Sequence, residues 1–89
     1  MTARPIKRSL TLRGHRTSVS LEAPFWEEFR RIAAADGLAL NALASRIDEA
    51  READVGLASA IRVYVLERLR ARSAAGGKDE AAVAPDGQP

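Results

Sequence analysis

The sequence predicts a mainly α-helical protein that opens with a short β-ribbon. Three observations lead there. Residues 9 to 21 alternate polar and apolar side chains with a period of two. Three later stretches repeat their apolar residues at helical spacing. Pro, Gly and Asn fall at the junctions, where the chain has to change direction.

The alternation comes in two parts. Leu10 and Leu12 stand between polar Ser9, Thr11 and Arg13, while Thr17, Val19 and Leu21 alternate with Arg16, Ser18 and Ser20. Each part has the pattern of a half-buried strand. The apolar phase switches from even to odd positions at Gly14-His15, which demands a turn or a bulge there. A turn about Gly14-His15 would pair Arg13 with Arg16, Leu12 with Thr17 and Leu10 with Val19. The apolar residues then share one face, and Ser9, Thr11, Arg13, Arg16, Ser18 and Ser20 share the other. The second possibility is that residues 1 to 13 are a loose arm that can track phosphates.

Pro24 suits the first turn of a helix, where its missing N–H costs little. Phe25, Trp26, Phe29, Ile32 and Ala33 follow at helical spacing. Glu27 and Glu28 favour the N-terminal dipole, Glu27 is placed to pair with Arg31, and Gly37 is a natural stop. Asn41 is a good N-cap for a second helix with the apolar stripe Leu43, Ala44, Ile47 and Ala50. The third helix is expected from about Ala58 to Arg72. It is apolar on most of its surface, interrupted by Arg62 and Glu67. Such a helix must be buried on more than one side.

The chain has 89 residues and no cysteine, so one small domain must hold itself together without disulfides or thiolate-bound zinc. Residues 1 to 7 are expected to form a flexible basic arm and residues 8 to 72 the folded domain. Ser73 to Pro89, where Val83 is the one large apolar residue, is expected to be a disordered tail. A core this small is commonly completed by a second copy. The residues expected in a shared dimer core are Val19, Leu21, Trp26, Phe29, Ile47, Ile61 and Val65.

Charge is uneven. Residues 1 to 21 carry Arg4, Lys7, Arg8, Arg13 and Arg16 and no acid, +5 against −3 for the remainder. A basic segment on a balanced body is an electrostatic footprint for nucleic acid, and it is also what a solubilising terminus looks like. No run is long and apolar enough to span a bilayer and no secretory signal is visible, so a cytoplasmic location without membrane contact is expected. No phosphate loop, thiol or histidine cluster is present. Catalysis, a metal and a cofactor are therefore not expected. His15, the one histidine, is read as an exposed turn residue. Trp26 is read as packing in the core or at a dimer interface rather than as a partner-binding anchor. Arg62 either pairs across a dimer or snorkels to solvent, and Arg68, Arg70 and Arg72 make a solvated helix end.

Strand, turn with Pro, helix, Gly and capped helix, from Arg16 to about Ala53, resemble the ribbon-helix-helix superfamily typified by the Arc and methionine repressors. The string Gly14-His15-Arg16-Thr17-Ser18-Val19-Ser20-Leu21-Glu22, followed by Phe25-Trp26, resembles a small subfamily of stand-alone bacterial members with no assigned role. The resemblance implies an intertwined homodimer whose paired strands enter the DNA major groove. Carried onto this chain, the outward-facing readers are Arg16, Ser18 and Ser20. Asn41 stands where superfamily members hold a phosphate at the second helix, and Arg13, Lys7 and Arg8 add basic charge. The chain departs from the pattern in its serine-rich reading face, its additional C-terminal helix and the extra strand. Gly56 to Arg62 itself resembles the opening of a second helix, which would shift the helix assignment. Two hairpins side by side would make a sheet about 19 Å across, too wide for a major groove about 12 Å wide.

Two functions follow. The first is a DNA-binding transcriptional regulator acting as a homodimer. The second is a protein-interaction module that keeps the scaffold and binds an unidentified protein partner instead of DNA. An antitoxin is a third reading, for which the tail lacks the amphipathic pattern of a toxin-binding segment.

Overall fold

The computed structural model describes the backbone of residues 4–80 and the side chains of residues 4–74. Strands β1 (Pro5–Leu12) and β2 (His15–Glu22) precede helices α1 (Ala23–Ala35), α2 (Leu40–Ala50) and α3 (Leu57–Glu80). The strands form a two-stranded antiparallel ribbon, and the helices pack on one face of it.

The hairpin turns on Arg13 and Gly14, with φ of 50° and 85°, and not on Gly14-His15. Two successive positive φ values are what a two-residue type I′ turn requires, and this turn matches the natural twist of the flanking strands. The observed register joins Leu12 to His15, Leu10 to Thr17, Arg8 to Val19 and Ile6 to Leu21. That is two residues from the expected register. An even slip preserves the side on which each residue stands, so the expected division of faces survives. Leu10, Leu12, Val19 and Leu21 are buried on the inner face. Ser9, Thr11, Arg16 and Ser18 stand exposed on the outer one.

β1 begins at Pro5, so Pro5 to Lys7 belong to the ribbon and not to a loose arm; residues 1–3 of that arm lie outside the described residues. At the other end α3 runs on to Glu80, past the end expected at Arg72. Ser73, Ala74 and Ala75 contain no helix breaker, and Ala has the best helix propensity. The remainder of the expected tail, residues 81–89, lies outside the described residues.

α1 starts one residue before Pro24 and ends in a Schellman turn. The Leu38 amide donates to the Ala33 carbonyl (2.8 Å) and the Gly37 amide to the Ala34 carbonyl (3.1 Å). Gly37 supplies the left-handed φ of 69° that this cap needs. α2 begins at Leu40 with Ala39 as its N-cap residue, so Asn41 lies inside the helix and is not its cap. Within α1, Arg31 pairs with Glu28 (3.6 Å) and not with the expected Glu27.

The core is closed within one chain. Val19, Leu21, Trp26, Phe29, Ile47, Ile61 and Val65 are 0–6% exposed in a single copy. They form one core within the single chain. β1 adds Leu10 and Leu12 to the buried inner face of the sheet. Trp26 belongs to this core, 6.3 Å from Phe29 between ring centroids. Its indole N–H donates to the Ile6 carbonyl (2.9 Å) and so pins the start of β1 to α1. α3 is not buried all round either, since Val63 and Leu66 are 56% and 51% exposed.

Substituting Gly14→Ala isolates the turn. A Cβ there meets nothing within 4 Å, so the penalty comes from the positive φ alone. A loss of about 1 kcal/mol is expected in urea unfolding, with no loss of helix by circular dichroism.

Candidate nucleic-acid interface

Among the described residues, no helix covers the outer face of the ribbon. Its rungs are Lys7 with Ser20, Ser9 with Ser18, and Thr11 with Arg16. Three of the residues expected to meet DNA, Arg16, Ser18 and Ser20, stand together here, with Lys7. Thr11 and Ser9 complete a row of short hydroxyls. Lys7 and Arg16 lie four rungs apart, about 14 Å along the ribbon at ~3.4 Å per residue. Neither makes an ion pair among the described residues. Sequence reasoning placed Ser9 and Thr11 on this face without assigning them a role; their pairing opposite Ser18 and Arg16 is what brings them in.

The other expected contacts are placed differently. Arg8 is on the opposite side of its strand, with its guanidinium 5.8 Å from the Trp26 ring centroid. Arg13 projects from the turn onto α2, where Glu49 (3.2 Å) and Asp48 (3.6 Å) hold it. These solvent-exposed contacts offset part of its charge. Asn41 accepts the Thr11 amide on its Oδ1 (3.2 Å), tying the start of α2 to β1, and its side-chain N–H2 is exposed to solvent.

The ribbon has two outer edges, and a side chain meets each at one position. In a hairpin closed at Leu12 and His15, alternate residues direct N–H and C=O away from the ladder. Thr11 is one on β1, where Asn41 meets it. Ser20 is one on β2, where the Arg62 guanidinium donates to its carbonyl (3.4 Å). Arg62 also binds both carboxylate oxygens of Glu22 (3.0 and 3.3 Å) and sits 5.8 Å from the Phe25 ring centroid. It therefore pairs within its own chain and neither crosses a dimer nor snorkels free. Its reach neutralises Glu22, the one acid on the ribbon.

Arg68 does the same lower down α3. It makes a two-pronged contact with Asp36 (2.7 and 2.9 Å) and a hydrogen bond to the Tyr64 hydroxyl (2.8 Å). It clamps the end of α1 to α3 and is not part of a solvated helix end. The Arg62 hydrogen bonds hold the Glu22 carboxyl below its ordinary pKa, and those from Arg68 do so for Asp36. Among the described residues no group of His, Asp and Glu could hold a metal ion, and no helix is long and apolar enough to cross a membrane.

Residues 5–69 match the sequence model of the ribbon-helix-helix domain. The chain belongs to that family. The match covers the hairpin, all of α1 and α2 and the first half of α3, so β1 and the third helix are inside the matched segment. Domains of this family are generally DNA-binding and typically have no enzymatic activity. No characterised protein and no solved structure shows significant similarity to the chain.

The two carboxylates give a pH prediction. A depressed folded pKa stabilises the protein at neutral pH, and that contribution is lost as pH falls below the ordinary values of 4.5 for Glu22 and 3.8 for Asp36. The urea midpoint of the native chain should drop between pH 6 and pH 3. The Glu22→Gln/Asp36→Asn variant should be less stable at pH 6 and show a shallower drop. Parallel pH profiles for the two proteins would show that these pairs do not set acid stability.

Proposed function

We propose that the chain is a DNA-binding transcriptional regulator that acts as a homodimer and meets duplex DNA with the outer face of its ribbon. The observation that carries this is the make-up of that face. It is uncovered, it is hydroxyl-rich, it has Lys7 and Arg16 unpaired at its two ends, and its one carboxylate is neutralised by Arg62. A phosphate held by Lys7 would leave Arg16 with Ser9, Thr11 and Ser18 over the base edges. Phosphate contacts orient such a protein, and base contacts give what sequence preference it has.

The major groove admits a two-stranded ribbon, and one chain already makes one. The obstruction expected of a four-stranded sheet arises only if two hairpins join edge to edge, and the caps at Ser20 and Thr11 oppose that. The interaction-module reading loses its main geometric support on this count. Family membership adds to the DNA reading without deciding it, since a fold hosts many functions.

Each phosphate neutralised steepens the dependence of log affinity on log salt by about 0.9. Lys7→Ala should flatten that slope by about one such step and weaken all sequences alike. Arg16→Ala should cost about 1–3 kcal/mol on a preferred site and less on random DNA. Arg13→Ala should cost least, because Asp48 and Glu49 already offset its charge. The measurement is titration of labelled genomic fragments at two salt concentrations. Absence of affinity at the lower salt would transfer the assignment to the protein-interaction module.

A further inference from the structure

We propose that the cavity between α1 and α3 is a binding site for a small phosphate monoester, with Arg31 and Arg72 holding the phosphate and Ile32 and Leu69 carrying its apolar organic group. The cavity encloses about 340 Å³, within the range of small-molecule sites, roughly 300–1,000 Å³. Three guanidiniums line it, from Arg31 on α1 and from Arg68 and Arg72 on α3, and among the described residues no carboxylate does. The rest of the lining is apolar: Ile32, Leu69 and two alanines. Ile32 belongs to the core and Leu69 packs against it. The floor is therefore held by the fold, while Arg31 and Arg72 stand in solvent at the rim.

The three arginines differ in what they already bind. Arg68 is committed to Asp36 (2.7 and 2.9 Å) and to the Tyr64 hydroxyl (2.8 Å). Arg31 and Arg72 make no side-chain hydrogen bond among the described residues. Both approach Glu28, at 3.6 and 3.9 Å, and both distances are longer than a hydrogen bond. Glu28 Oε1 is itself buried without a hydrogen-bond partner, so neither guanidinium satisfies it. Two arginine forks thus share one carboxylate and keep their donors. Setting Glu28 and Asp36 against Arg31, Arg68 and Arg72 leaves one positive charge in excess.

Two free forks beside one cavity favour phosphate over other anions. A guanidinium presents its N–H donors in a planar fork that matches carboxylate and phosphate oxygens. A carboxylate has two acceptor oxygens and is filled by one fork. A phosphate monoester has three and can accept from both. The apolar floor then gains from covering an aliphatic or aromatic group, which free phosphate does not carry. The site is separate from the ribbon. Arg31 stands well inside α1, about 12 Å along the helix from Ala23 at ~1.5 Å per residue. Arg72 lies about 15 Å along α3 from Arg62, the residue that meets the edge of β2. The inference is independent of DNA binding.

The test is calorimetric titration of the full chain with phenyl phosphate, inorganic phosphate and benzoate at constant ionic strength, alongside NMR of the arginine Nε–H signals. Phenyl phosphate should bind more tightly than the other two and shift the signals of Arg31 and Arg72. Arg31→Gln/Arg72→Gln should weaken it by at least about tenfold with unchanged circular dichroism, because both side chains are 61% exposed. Arg30→Gln/Arg46→Gln removes the same charge from residues that do not line the cavity, and should leave the affinity unchanged. A native chain that does not bind phenyl phosphate would overturn the proposal. So would inorganic phosphate or benzoate binding as tightly, or an equal loss in Arg30→Gln/Arg46→Gln, which would mean diffuse charge attraction. Duplex DNA that shifts the Arg31 and Arg72 signals where phenyl phosphate does not would overturn it too, and would make these arginines a contact to the DNA backbone.

Discussion

Everything in this fold depends on a two-residue turn whose residues both adopt positive φ. Arg13 at 50° and Gly14 at 85° close the hairpin with Leu12 opposite His15. Register along the rest of the ribbon follows from that first rung. A slip of one residue would put the apolar residues of one strand on the same face as the polar residues of the other, sending either Leu10 and Leu12 or Val19 and Leu21 to solvent. Arg13 is an unusual occupant, since the left-handed region penalises a Cβ. Its contacts with Asp48 and Glu49 offset part of that penalty and dock the turn onto α2.

The correct register then decides how much the chain can do alone. With β1 in place, the inner face of the ribbon offers four buried aliphatic side chains to Trp26, Phe29, Ile61 and Val65. Long polar side chains fix the helices around that core: Asn41 joins α2 to β1, Arg62 joins α3 to β2, and Arg68 joins α3 to the end of α1. Individually such exposed pairs contribute little. Their value here is geometric, because each connects elements distant in the sequence and restricts how the helices can slide over the sheet.

Much of this was legible in the sequence. Period-two alternation revealed both strands, and the phase change at Gly14 located the bend between them. Helical spacing found α1 and α2, and Gly37 marked the end of α1. The order of these elements pointed to the ribbon-helix-helix family. What was not legible has identifiable causes. A glycine alone does not say whether it is the first or second residue of a turn, so the register was expected two residues away. Asn41 is as suitable for an N-cap as for an edge contact, and a local pattern cannot distinguish them. Arg62 and Arg68 find Glu22 and Asp36 across 40 and 32 residues, a separation invisible to helical periodicity. Counting the apolar residues of α3 showed that it needed cover, and α1, α2 and β2 supply it.

The reading face has its own physical logic. On the proposed function, Arg16 is the single long side chain among hydroxyls, and Ser and Thr discriminate weakly between bases because they can donate or accept. One arginine can distinguish a guanine, but three serines and one threonine cannot specify an operator. Sequence preference must then come from the spacing of two ribbons held apart at a set distance. In the proposed homodimer each subunit would engage its own half-site. The second contact becomes intramolecular once the first has formed, so two weak readers at a set separation select a spaced pair of half-sites that neither could select alone. The contacts of Arg62 and Asn41 lie along the ribbon edges and leave its outer face open, which is what a groove-facing surface requires.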